Sequence, residues 1–442
     1  MRDAIFLGVI AVFLNTGIAH AEFLTDTSTL RHDGESLQAT RASTSTGDAV
    51  LDAYVRTALE NNSGLRASFD VYQAALEVIP QATALPDPVF QWTHFIEEIQ
   101  TRTGPQNNKF DLSQKIPWKG ERSQAGKMAQ DQAEHLWWKA VERKQEIIRS
   151  VKHVYAEYAY LAQHKRIVEE NLTLLRNLEP VVQVRIRNGA SQGDLLRLQV
   201  EIGKLENELS SLEGLRPALD RQLKAVLNQS DGGLFPWPEA LASDERVYQS
   251  SDLAKVLDEN NPALKQLNWL ITQMDDQAVH RELMRKPDVT VGLTYIDTGE
   301  ASGAMRPSDS GDDPFGVMVG VSIPLWGKKY DAGVREARYK ESSFQHRLRQ
   351  KRLELHAQLE MEAYRLQDAA RNITLYRDTL IPRTRQAMEV IQVSYQSGNS
   401  TLLDIIDSER DLLLFEQSYW RAQRDYAQGL AALEALCGGA VS

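Results

Sequence analysis

The sequence predicts a mostly α-helical protein with a small β part, built twice over in one chain. Three observations carry this expectation. Ile323-Pro-Leu-Trp-Gly-Lys-Lys-Tyr-Asp-Ala-Gly333 matches Ile116-Pro-Trp-Lys-Gly-Glu-Arg-Ser-Gln-Ala-Gly126 without a gap at the Ile, the Pro, the first Gly, the Ala and the last Gly, 207 residues apart (323 − 116). Each copy closes a run of strand-like alternation: Val317, Val319, Val321 and Ile323 alternate with Met318, Gly320 and Ser322, and Phe110, Leu112, Gln114 and Ile116 repeat the pattern less cleanly. Each copy then opens a long stretch of Ala, Glu, Gln, Arg, Leu and Lys, all good helix formers.

In chain order, residues 1–21 read as a secretory signal: Arg2, an apolar run from Ala4 to Leu14, and Ala19-His20-Ala21 as the cleavage pattern. The apolar run is short for a membrane span of roughly 20 residues. Residues 22–47 lack periodicity and read as a flexible leader. The first repeat covers 48–230. It starts with two helices divided at Asn61-Asn-Ser-Gly-Leu65, followed by strands at about 89–99 and 109–117 with turn chemistry at Gly104-Pro-Gln-Asn-Asn108 between them. Pro117 closes the second strand and Gly120 opens the first rod; Pro324 and Gly327 do the same later. Residues 231–249 form a linker. The second repeat, 250–438, restates the order: Asn260-Asn-Pro-Ala-Leu264 echoes Asn61 to Leu65, and strands follow at about 288–298 and 316–325.

The rods are unusually long, with 69 residue steps between Gly120 and Gly189 and 71 between Gly327 and Gly398. Unbroken, each would reach roughly 100 Å. Ile147, Val151, Val154, Tyr158, Leu161, Val168, Leu172 and Leu175 keep 3–4 spacing with Lys165 intruding. Leu195, Leu198, Ile202, Leu205, Leu209, Leu212, Leu219, Leu223 and Val226 do so on the return, with Arg216 the exception. Such a repeat buries a coiled-coil seam. Pro180, Pro217 and Pro382 should interrupt or kink it. Gly189 and Gly398 suit left-handed turns that reverse the rods, with Ser191 and Ser400 able to cap the returning helices.

Composition narrows the function. A formal charge of −11 and a pI near 5.4 argue against a nucleic-acid partner. The single Cys437 excludes an internal disulfide framework. His153 and His164 share a helix face but stand roughly 16 Å apart, and no histidine has metal-site spacing. No phosphate loop or nucleophile elbow is present, so the sequence predicts neither an enzyme nor a cofactor. Four strands of about ten residues fit a transmembrane β-strand, yet four cannot close a barrel. If they lie in lipid, copies must combine, because open edges there are costly. Trp92, Trp118 and Trp326 fall near strand ends, where an aromatic girdle sits. The alternative is a soluble periplasmic coiled-coil scaffold or adaptor capped by a small sheet.

This order of elements resembles the TolC-like outer-membrane efflux protein family over nearly all of 49–438. The most specific pieces are Val321-Ser-Ile-Pro-Leu-Trp-Gly327, Leu112-Ser-Gln-Lys-Ile-Pro117, and the turn that places Tyr395, Gly398, Asp404, Asp407 and Arg410 in order. The resemblance implies a homotrimer in the outer membrane of a Gram-negative bacterium. Three chains of four strands would make a twelve-stranded barrel, continued by a periplasmic helical tunnel. It also implies a passive exit duct that works with a periplasmic adaptor (membrane fusion) protein and an inner-membrane transporter such as a resistance-nodulation-division pump. Carried over by residue, Asp404 and Asp407, with Asp194 in the first turn, are expected to ring the pore near its closed end, and Tyr395 to tie neighbouring hairpins together. The family's gate has an arginine where Ser400 stands, and the first turn is one residue shorter, putting Asp194 five rather than six positions after its glycine. Asp404 and Asp407 could instead cap the first helical turn. The turn from Gly189 to Arg197 is similar to that of members associated with heavy-metal export.

Overall fold

The computed structural model describes residues 48–441, apart from 231, 239–240, 242–245, 247 and 303–305. The expected signal (1–21) and leader (22–47) lie outside the described residues, as does part of the expected linker.

Both halves begin the same way. Helices α1 (Ala49–Asn61), α2 (Ser63–Leu76) and α3 (Val78–Thr83) lead to strands β1 (Val89–Thr101) and β2 (Gly104–Ile116). Rod α4 (Glu121–Arg187) and its return α5 (Gln192–Val226) follow. In the second half α6 (Ser250–Asn260) and α7 (Pro262–Leu283) lead to β3 (Val289–Thr298) and β4 (Phe315–Val321). Rod α8 (Gly327–Leu375), a π-turn (Tyr376–Leu380) and α9 (Ile381–Gln396) then descend, and α10 (Leu402–Leu436) returns. The two asparagine motifs fold alike. Asn62 Oδ1 accepts from Leu65 N at 2.9 Å, and Asn261 Oδ1 accepts from Ala263 N and Leu264 N at 3.0 and 3.2 Å, each capping the helix that follows.

Two prolines do not break their rods. Pro180 lies inside the 67-residue α4 and Pro217 inside α5, where seam packing outweighs the roughly 3 kcal/mol cost of an interior proline. Pro382 lies two residues past the π-turn, whose wider helix gives its ring room four residues back, at Asp378. The polar intruders in the seam have partners. Lys165 pairs with Glu169 and, at 3.6 Å, with Glu213. Arg216 donates to the Tyr158 hydroxyl at 3.2 Å and stacks over the Trp237 ring at 4.1 Å.

Strands pair β1-β2-β3-β4, all antiparallel. The central β2–β3 pair joins the two halves, and directly beyond it α4 packs along α7. β4 ends at Val321, short of the expected 325, because Pro324 has no N–H for the ladder. Cys437 is buried, with its thiol pushed up to about 11 by burial and then by Glu434.

Candidate functional site

The strand register gives the sheet two unlike faces. Phe90 pairs with Leu112, Leu112 with Leu293 and Leu293 with Val317. One row along, Trp92, Phe110, Tyr295 and Phe315 line up. Val291–Val319 and Val289–Val321 extend the same face toward Ile116. The other face carries Gln91, Asp111, Thr294 and Gly316 in one row and Lys115, Thr290 and Gly320 in another. Side chains alternate along a strand, so this pairing gathers most of the apolar side chains on one side, while Val89 and Met318 share the other face with Ser113 and Gly292. Gln114 is the exception on the apolar face; its amide turns to the strand end and donates to Pro86 O at 2.7 Å.

The apolar face is uncovered. Val319 is 68% exposed, Val317 69% and Val321 56%. β1 and β4 each pair on one side only and leave a row of backbone donors and acceptors open. A soluble cap would bury such a face. Among the described residues no helix is long and apolar enough to cross a membrane.

The junction glycines differ in role. Gly120 has φ 95°, a left-handed conformation that a side chain would strain, whereas Gly327 is the first residue of α8 without that constraint. At the far ends of the rods the two turns close identically. Gly189 (φ 101°) and Gly398 (φ 87°) take left-handed backbone. Ala190 N bonds Arg185 O at 3.0 Å and Asn399 N bonds Ser394 O at 2.8 Å, the six-to-one bond of a glycine-terminated helix. Ser191 caps α5 as expected, its Oγ accepting from Gly193 N at 3.1 Å. Ser400 does not cap α10. Its hydroxyl donates back to Ile391 O at 3.1 Å, and Thr401, one residue on, is the cap.

Asp404 completes that cap. Its Oδ2 accepts from Thr401 N and Thr401 Oγ1, both at 2.7 Å, while Asp404 N donates to Thr401 Oγ1 at 3.3 Å. The backbone bond and then the hydroxyl bond hold its carboxyl below the usual carboxylate range. Asp404 is nonetheless exposed, as is Asp407, so both bring charge to the surface of the tip. Asp407 Oδ1 lies 3.4 Å from Arg410 Nη1, and Arg410 reaches across to Glu201 of α5 at 2.5 Å. Asp194 is half-buried in the first turn of α5, on the other hairpin.

Tyr395 sits at the centre of the tip. It is buried among Leu198, Leu402, Ile405 and Ile406, with the Arg185 guanidinium 4.1 Å from its ring centre. Arg185 also donates to the Tyr395 carbonyl at 3.0 Å. Tyr395 therefore ties the second hairpin to the first hairpin of its own chain. Sequence reasoning missed Arg185, which lies in an ordinary helical run with nothing to distinguish it.

It also missed Glu409, for which a signal existed. Leu402, Ile405, Glu409, Leu412 and Glu416 keep 3–4 spacing, so a carboxylate breaks an apolar seam. Glu409 is 5% exposed and neither of its carboxyl oxygens has a partner. Burial, then the charge of Glu416, pushes its pKa up to about 7. The folded pKa exceeds the unfolded value, so its contribution is complete at acid pH and is lost as pH rises toward about 7. Glu409→Gln is expected to leave Tm unchanged near pH 4, below the unfolded value of 4.5, and raise it at pH 8, flattening the profile; thermal melts across that range check this.

The family model for outer membrane efflux proteins matches residues 253–439. The chain carries an outer membrane efflux protein domain. Solved structures extend the likeness in fold to the half before this efflux domain. The outer membrane protein VceC from Vibrio cholerae superposes with a TM-score of 0.70 at 18% identity, over 90% of this chain and 98% of its own. The outer-membrane channel OprN gives 0.68 at 15%, over 89% and 91%. The CmeC outer membrane channel of Campylobacter jejuni gives 0.67 at 14%, over 89% and 86%. No curated protein sequence matches the chain. Among the described residues, no group of three or more His, Cys, Asp or Glu in the efflux domain or before it could hold a metal ion.

Proposed function

We propose that the chain is one third of a passive exit duct in the outer membrane of a Gram-negative bacterium. Three copies pair β4 of one with β1 of the next, closing twelve strands with apolar faces in lipid and polar faces around water. The rods continue the pore into the periplasm, where the tips meet an adaptor protein. An inner-membrane pump, for which a resistance-nodulation-division transporter is the reading, supplies the energy. The observation that carries this is the sheet: two chemically opposite faces, two open edges and an uncovered apolar side. The efflux family match and the shared fold support it.

Asp404 and Asp407 are proposed to line the constriction at the tip with Asp194 nearby, six carboxylates from the α10 pair alone in a trimer, giving a filter that prefers cations. Asp404 can serve as both cap and lining, since one of its oxygens takes the cap bonds. Heavy-metal cations are the proposed cargo, resting on this charge and on the character of the first turn.

The test is conductance of the purified full chain in planar bilayers. Channels are expected, with cation preference reduced and conductance raised when Asp404 and Asp407 are both replaced by Ala. No conductance in either protein would refute the duct. Growth of a disrupted strain under metal, drug and detergent stress tests the cargo; unchanged metal tolerance would remove the metal reading and leave the duct.

A further inference from the structure

The two halves of the chain meet along α4 and α7, and this seam is polar. Gln124 donates to the Asp276 carbonyl at 3.1 Å and Gln273 to the Met128 carbonyl at 3.2 Å. Further down, His135 Nδ1 lies 3.3 Å from the Gln266 carbonyl. The α4 members recur every three or four residues, and Asp131 falls in the same stripe, facing α7. It is 5% exposed, its Oδ2 has no partner, and its carboxyl is within hydrogen-bonding reach of the Asp276 carboxyl.

The charges acting on Asp131 are Asp276 from α7, and Lys127 and Glu134 from the adjoining turns of α4. Helices α2 and α3 pack on a different side of α4, through Tyr72 against Trp137 and Thr83 against Gly126, about 130° around the helix from Asp131. No basic side chain hydrogen-bonds the pair. Ionising a buried carboxyl beside a second carboxylate is costly, and of the two it is Asp131 that is buried while Asp276 is half-buried. Burial first, and then Asp276, raises the Asp131 pKa to about 7.

We propose that Asp131 holds a proton that it shares, as a hydrogen bond, with the Asp276 carboxylate, and that this proton clamps α4 to α7 beneath the sheet and joins the two halves. When it leaves for bulk water, two facing carboxylates remain and the seam loosens. The clamp lies within one chain, so it does not depend on the duct reading. In a duct it would make the upper tunnel wall yield as pH rises through neutrality.

The test is hydrogen exchange on the full chain in lipid between pH 5 and 8.5, corrected for intrinsic exchange. Protection of α4 around 121–138 and α7 around 266–280 is expected to fall as pH rises to neutral, by up to about tenfold per pH unit for one proton. Asp131→Asn and Asp276→Asn each supply an amide donor to the remaining carboxylate and are expected to hold that protection flat. The tip around 402–416 should respond equally in wild type and both variants. Flat wild-type protection, or the same slope in both variants, would overturn the clamp. Should one variant fold poorly, infrared spectroscopy decides on wild type and the other. A carboxylic C=O band titrating near neutral and absent from the variant supports the shared proton; an identical band in both overturns it.

Discussion

Val319→Arg is expected to prevent stable insertion of the protein in the outer membrane. Val319 sits mid-strand on the apolar face, opposite Val291 and 68% exposed. An arginine facing lipid near the midplane costs about 2–4 kcal/mol, and a trimer incurs it three times. Thr290→Arg is the matched control. Thr290 pairs with Gly320 on the polar face, so its arginine would face water; assembly should persist while the cation preference of the pore falls. Fractionation, together with the resistance of the assembled band to detergent, reads both variants. Equal behaviour of the two would mean that the faces do not see different solvents.

Tyr395→Ala is expected to free the hairpin tips from each other. Emptying so buried a site costs about 3–5 kcal/mol, a large share of the roughly 5–15 kcal/mol that holds an ordinary domain folded. The loss removes the platform under Arg185 and unpacks Leu402 and Ile405 together. Conductance should rise and Tm fall. Tyr395→Phe is expected to be nearly silent, because Arg185 engages the ring and the backbone carbonyl. If Phe opens the channel as fully as Ala does, the hydroxyl rather than the stack is the latch.

Much of the architecture could be read from local chemistry. The two proline-glycine junctions marked where strands give way to rods because proline ends a ladder and glycine permits a sharp change of direction. The 3–4 spacing of Leu161 to Leu175 and of Leu198 to Leu212 identified the seam, since that period admits one buried face. Pro180 and Pro217 do not end their helices, because long-range packing outweighs a local breaker. Ser400 is able to cap by residue type, but Thr401 has Asp404 three residues on, the spacing of a reciprocal cap, and takes the role.

The candidate site was less legible. Aspartates 404 and 407 stand out near a turn, but Arg185 and Glu201 reach the tip from the other hairpin, and no local pattern encodes a contact across some two hundred residues. The two-faced sheet was visible in β4 alone. In β2 the Gln114 position blurred the alternation, and in β1 the register shift between His94 and Ile99 disrupted it. Only pairing all four strands brings most of the apolar residues to one side.

The mass of the assembled protein in lipid nanodiscs tests the central claim most directly. One chain offers four strands with both outer edges open, so the account predicts a complex of three chains. A single chain, stable in lipid or free in solution with β1 and β4 covered from within, would contradict it.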